Sequence, residues 1–181
     1  MSLEGSVALV TGGGRGVGRA IALGLAEDGA TVAVNYRRDD AAAKDTVSLI
    51  EAAGGRAKAY QASVDDLEED ELMVNQILED LGPVSILVNN AGIASRGRMV
   101  ADTDAAELQR VVATHAFGPH YLSRLVLPGM RTLERGDIIM ISSVATRSLG
   151  SHGAPYNMGK TAMEALAYTL AKEEKINGVR V

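Results

Sequence analysis

Short β-branched or apolar runs alternate along this chain with longer segments of helical spacing, and that alternation constrains the fold more than any other feature. The runs are Val7–Thr11, Thr31–Asn35, Arg56–Gln61, Ile86–Asn89 and Asp137–Ser142. The helical stretches are Gly16–Asp28, Ala41–Ala53, Leu67–Leu81, Ala105–Met130 and Tyr156–Lys175. The central runs are nearly continuous in apolar character, as strands covered on both faces must be. Strands separated by whole helices pair in parallel, with helices packed on both sides of the sheet. The expectation is therefore an α/β fold built on a doubly wound parallel sheet. Gly29, Gly54-Gly55, Gly82-Pro83 and Gly136 punctuate the element ends. No repeat, low-complexity stretch or linker intervenes, so residues 1–181 read as one domain. Gly178–Val181 opens a sixth strand just where the sequence stops. Because such strands need cover on both faces, the sheet is expected to be truncated soon after that strand begins.

Composition removes several function classes. Among 181 residues, 46% are hydrophobic and 23% charged, enough apolar material for a sizeable core. A net charge of −5 and 3% aromatic residues supply neither the basic footprint nor the stacking platforms of a nucleic-acid binder. The absence of cysteine excludes disulfides, thiolate catalysis and cysteine-ligated zinc, and no metal site is expected. No run is long and apolar enough to span a bilayer, and Met1–Gly5 lacks the basic start of a signal peptide. The expected location is the cytoplasm, with no membrane partner.

The first strand runs into Thr11-Gly12-Gly13-Gly14-Arg15-Gly16-Val17-Gly18 and then into a helix. Alone, a glycine-rich stretch is often a flexible loop. Between a strand and a helix it makes a phosphate cradle: glycines allow close backbone approach, and the helix N-terminus offers free N–H groups. Gly12, Arg15, Gly16, Val17 and Gly18 are the candidate contacts. At the end of the second strand, an acidic side chain would hold the ribose 2′-hydroxyl of NAD, whereas a 2′-phosphate needs arginine. That segment reads Asn35-Tyr36-Arg37-Arg38, with no carboxylate before Asp39. Arg15 and Arg37 can fork onto a phosphate, and Tyr36 precedes Arg37 in sequence. NADP(H) is the preferred cofactor, with NAD(H) the alternative. Asp39 and Asp40 are better placed to cap the second helix.

Three further features complete a pattern. Gly12, Gly16 and Gly18 are separated by three residues and then one, Asn89-Asn90-Ala91-Gly92 closes the fourth strand, and Ser143 precedes Tyr156-Asn157-Met158-Gly159-Lys160. In these features, and over its whole length, the chain resembles the short-chain dehydrogenase/reductase family, which includes reductases of 3-oxoacyl thioesters on acyl carrier protein, steroids, sugars and small ketones. The resemblance implies a Rossmann fold and an oxidoreductase moving hydride between NADP(H) and a small-molecule carbonyl or alcohol. It implies that Asn90, Ala91 and Gly92 pass under the adenine ribose, that Ser143 holds the substrate oxygen and that Tyr156 is the proton donor or acceptor. Lys160, one helical turn from Tyr156, would favour the charged form of a phenol and hold the nicotinamide ribose, so Tyr156 and Lys160 also belong to the cofactor site. A homodimer or homotetramer is implied, with Ala105–Met130 and Tyr156–Lys175 at the interface and Met163, Leu166, Ala167 and Leu170 as an apolar stripe on the second.

The chain also departs from the family pattern. His115-Ala116-Phe117-Gly118 stands where an asparagine usually begins N-x-x-G, so His115 takes the place of the residue that holds a water near the lysine. Ser63 stands where an aspartate usually meets the adenine amino group, and Val64 is left to pack on the ring. Arg96, Arg98 and Arg147 are candidates for an anionic substrate. Against the enzyme reading stands a catalytically impaired nucleotide-binding sensor or assembly subunit, favoured by His115 and the short ending.

Overall fold

A computed structural model describes residues 2–181. Six strands, β1 (Val7–Val10), β2 (Thr31–Tyr36), β3 (Arg56–Gln61), β4 (Ile86–Asn89), β5 (Gly136–Met140) and β6 (Val179–Arg180), form one sheet in the order β3-β2-β1-β4-β5-β6. Every adjacent pair is parallel, with Val10 opposite both Val34 and Val88 at the centre. The direction of winding reverses between β1 and β4, which opens a crevice at their C-terminal ends, where ligands bind in such sheets.

The helices are α1 (Gly16–Glu27), α2 (Asp40–Ala52), α3 (Leu67–Leu81), α4 (Ala105–Val112), α5 (Gly118–Met130), α6 (Ala145–Ser148) and α7 (Ala154–Glu173). Strand side chains alternate between faces, so the sheet carries two cores. Leu9, Ala33, Tyr60, Leu87 and Ile138 meet Met73, Ile77, Leu122, Met130 and Leu170 on one face. Ala8, Val10, Val32, Val34 and Val88 meet Ala22, Ala43 and Ile50 on the other. Aspartates start three of the helices: Asp39, Asp66 and Asp104 accept backbone N–H groups of the first turns of α2, α3 and α4. The role expected for Asp39 is thus the one it has.

The expected unbroken helix Ala105–Met130 carries a wide π-type turn over Ala113–Phe117 between α4 and α5. Pro119 has no N–H to send to the carbonyl four residues back, that of His115, and a locally widened turn is the physical response. The short α6 has no counterpart in the sequence reading, and α7 begins at Ala154, ahead of the expected Tyr156, with Pro155 in its first turn.

Candidate active site

The crevice is closed from beneath by hydrogen bonds between its walls. Thr11 Oγ1 donates to the Val88 carbonyl at 3.2 Å and accepts the Asn90 and Ala91 amides at 2.9 Å each. Asn90 Nδ2 donates to the Thr11 carbonyl at 2.8 Å. Asn35, almost fully buried, accepts the Gly12 amide at 3.1 Å and donates to the Ala62 carbonyl at 3.0 Å. A Cβ at Gly18 would collide with the Gly12 carbonyl oxygen, so the helix can approach the turn this closely only with glycine there. Arg19 of α1 and Thr46 of α2 fasten the Gly14 carbonyl, at 3.0 and 3.1 Å.

The result is a cleft of about 650 Å³. Gly12, Arg15, Gly16, Val17 and Gly18 form one wall, Tyr36 and Arg37 the second, Ser63 and Val64 the third, and Asn90, Ala91 and Gly92 the floor towards β4. All the residues expected to bind the dinucleotide through the turn, β2, β3 and β4 therefore line a single space. The set fits a phosphorylated dinucleotide. No side chain caps α1, and its first turn holds no acid, leaving its amides available to an anion. Arg15, Arg37 and Arg38 all border the cleft, and none is in an ion pair among the described residues. The Ser63 hydroxyl donates to Asp65, which leaves its oxygen as an acceptor facing the cleft and brings a carboxylate to that wall. Asp65, Arg110 and Thr114 line the cleft without having been anticipated.

Beside it lies a cavity of about 510 Å³ whose wall includes His115, Tyr156 and Lys160 together with Asn90, Gly92 and Ser142. Lys160 is 3% exposed, and burial pushes its ammonium down to about 8. Its Nζ donates to the Ile141 carbonyl at 2.5 Å. The His115 ring stands edge-on to Tyr156, with centroids 5.0 Å apart. His115 Nε2 lies 2.8 Å from the Ile93 carbonyl oxygen. Burial lowers the imidazole below its ordinary range, the Ile93 hydrogen bond opposes this, and the Lys160 charge adds to the lowering. His115 is therefore neutral at pH 7, and its buried Nδ1 has no hydrogen-bond partner among the described residues. Ser143 sits on the turn after β5, where its Oγ accepts the Ala145 amide at 3.2 Å; the serine on the cavity wall is Ser142. Arg96, Arg98 and Arg147 are all exposed, and the Arg96 amide is held by buried Glu107 at 2.5 Å.

A cleft bordered by arginines that meets a cavity lined by Tyr156, Lys160 and His115 can bind a nucleotide and manage a proton at one end of it. Residues 6–181 match the pattern that defines short chain dehydrogenases. The chain belongs to the short-chain dehydrogenase/reductase family. An uncharacterized oxidoreductase of Escherichia coli (strain K12) is 39% identical to this chain over 181 residues, covering 97% of it and 73% of the relative. The 3-oxoacyl-[acyl-carrier-protein] reductase of Synechocystis is 36% identical over 180 residues, covering 99% and 72%. Among solved structures, a metagenomic short-chain oxidoreductase in complex with NADP superposes with a TM-score of 0.96 at 34% identity, covering 100% of this chain and 81% of that one. Among the described residues no helix is long and apolar enough to cross a membrane, and no cluster of His, Asp or Glu is placed to hold a metal.

Proposed function

We propose that this short-chain dehydrogenase interconverts a carbonyl and an alcohol on a small molecule with NADP(H), and that Tyr156 exchanges the proton. The observation that carries the reading is the convergence of Tyr156, Lys160 and His115 on a cavity that shares Asn90 and Gly92 with the arginine-bordered cleft. The NADP complex of the metagenomic relative and the reductase activity named for the Synechocystis relative support it. Gly12, Gly16, Val17 and Gly18 would hold the pyrophosphate, Arg15, Tyr36 and Arg37 the 2′-phosphate end, Ser63 and Val64 the adenine, and Asn90, Ala91 and Gly92 the adjoining ribose. When bound, the nicotinamide supplies or accepts the hydride.

The chain's own residues handle the oxygen and its proton. Ser143 donates a hydrogen bond to the substrate oxygen, and Tyr156 gives that oxygen its proton during reduction. Lys160, charged at pH 7 and losing its proton as pH rises through about 8, stabilises negative charge on the phenol and binds the nicotinamide ribose. His115, in place of the family's asparagine, offers Nδ1 to a water beside Lys160. A positioned proton donor of this kind contributes roughly 10²–10⁴ in rate.

Self-association as a homodimer or homotetramer is part of the proposal. The stripe expected on α7 does not serve it, because Met163 and Leu170 are buried against the chain's own core; Met158 and Tyr168 on α7 and Phe117 before α5 are outward apolar groups on these elements.

The deciding experiment follows NADPH consumption with a panel of ketones in wild type and Tyr156→Phe. Turnover is expected to fall by roughly 10²–10⁴ in the variant while NADPH affinity is kept; binding without turnover in wild type would favour the sensor. In parallel, Arg37→Ala is expected to weaken NADP(H) by about 10- to 100-fold, the loss of one charge-assisted contact, with little effect on NAD(H).

A further inference from the structure

Tyr156, Lys160 and Glu164 follow one another at four-residue intervals on α7, so they share one face of the helix. The first two reach the catalytic cavity. Glu164 reaches the turn that carries Ser143. Its Oε1 accepts the Ser142 hydroxyl at 2.5 Å and lies 3.0 Å from Thr146 Oγ1. Thr146 Oγ1 is also 2.9 Å from the Ser143 carbonyl, so one proton is shared between that carbonyl and Glu164. The residue before Ser143 and the third residue after it are thus both drawn to a single carboxylate oxygen. Those two hydrogen bonds, Ser142 first, with a smaller contribution from the Arg147 charge, hold the Glu164 carboxyl below the usual carboxylate range. It is ionised at neutral pH, and bonds from hydroxyls to an ionised carboxylate are among the stronger ones.

Lys160 Nζ ties α7 to the Ile141 carbonyl at the start of the turn; from Ser143 to Thr146 the remaining bonds are local. Ser143 Oγ accepts the Ala145 amide, and the Thr146 amide donates to the Ser143 carbonyl at 3.2 Å. These set the shape of the turn but do not set its distance from α7. The distance between a serine on a loop and a tyrosine on a helix has to be fixed by a link between the two, and Glu164 is such a link. We infer that Glu164 is a positioning residue: by gripping Ser142 and Thr146 it holds Ser143 in register with Tyr156. The inference rests on the roles proposed above for Ser143 and Tyr156. Glu164 lines neither cleft nor cavity, so its effect passes through the turn it grips, in which Ser142 lines the cavity and Ser143 is the proposed substrate contact.

Two measurements test it, one of which needs no turnover. Hydrogen exchange on the protein without cofactor should be about tenfold faster for amides 143–148 in Glu164→Ala, with the rest of α7 unchanged, and should return towards wild type in Glu164→Gln, whose amide oxygen still accepts. Unchanged exchange in the alanine variant overturns the inference. In steady-state assays, Glu164→Ala should lower kcat on the order of 10- to 100-fold, the scale of an ångström misplacement, with NADPH affinity unchanged and partial rescue by glutamine. In a Ser143→Ala background the same change should cost almost nothing further, since both act through one group. Full additivity of the two losses overturns the inference while leaving the catalytic reading intact. Accelerated exchange in a protein that never turns over a ketone would uphold the positioning role and sink the catalytic reading instead.

Discussion

His115 Nε2 lies 2.8 Å from the Ile93 carbonyl oxygen and 3.2 Å from the Ile93 amide, so it could donate to the first or accept from the second; the shorter contact favours the tautomer with the proton on Nε2. Nδ1 is then a bare acceptor, buried and unpartnered within the described chain, a situation that costs about 1–3 kcal/mol unless a water or ligand satisfies it. An asparagine at 115 offers a donor and an acceptor in less volume. His115→Asn is accordingly expected to keep or raise turnover, measured as kcat with NADPH and the best ketone; a drop beyond about tenfold, or ~1.4 kcal/mol of barrier, would give the imidazole a role of its own. The place of His115 was legible from the family resemblance, since it stands where the N-x-x-G asparagine usually lies. Its contact with Ile93 was not, because a bond to a loop carbonyl depends on the path of that loop. Asn35 was missed for a different reason. A polar residue inside an apolar run was the available signal, and its two bonds to Gly12 and Ala62 are what that run exists to position.

At the scale of elements, α3 holds a group that works against the fold at high pH. Asp70 is wholly buried, and neither carboxylate oxygen has a partner among the described residues. Burial above all, then the charges of Asp66, Asp65 and Glu69, push it up to about 8. In the unfolded chain it titrates near ~3.9. The folded form therefore keeps a proton that the unfolded form has lost, so the penalty is absent below about pH 4, grows towards pH 8 and is constant above it. Asp70→Asn should melt higher than wild type at pH 8, by about 2–4 °C for each kcal/mol recovered in a chain of this size. The gap should narrow towards pH 5; thermal melts across that range check it, and a gap independent of pH would refute it. The first turn of α3 is rich in acids, Glu68, Glu69 and Asp70. The spacing of Asp70, Met73, Val74 and Ile77 puts them on one helical face, and all four are buried. Strand and helix identities were legible, since period and glycine punctuation decide them. The widened turn before α5 was not, because a proline inside a strongly helical pattern can be absorbed in several ways and neighbouring packing selects among them.

Over the whole molecule, the two sides of the site come from halves of the chain that meet at one seam. Gly12, Asn35 and Arg37 belong to the first three strands, whereas Asn90, His115, Tyr156 and Lys160 follow later. The seam is the pairing of β1 with β4, and its flanking bond from the Val7 amide to Ser85 spans 78 positions, against the short local crossovers on either side. Bringing such distant segments together costs loop-closure entropy before any contact is gained. Docking of the halves is therefore expected to be the slow event in refolding, after each half has formed its local βα units. The nucleotide cleft does not exist until that event is complete. NADPH should consequently leave the refolding rate almost untouched and slow unfolding, as expected of an interaction absent from the transition state. Thr11→Val, which removes three hydrogen bonds across the seam, should do the reverse to unfolding. Stopped-flow measurements with and without cofactor would read both. A cell making this protein would then face a waiting time between synthesis of β1 and its partner, during which β1 and β2 present the apolar faces that the later half of the chain is due to cover.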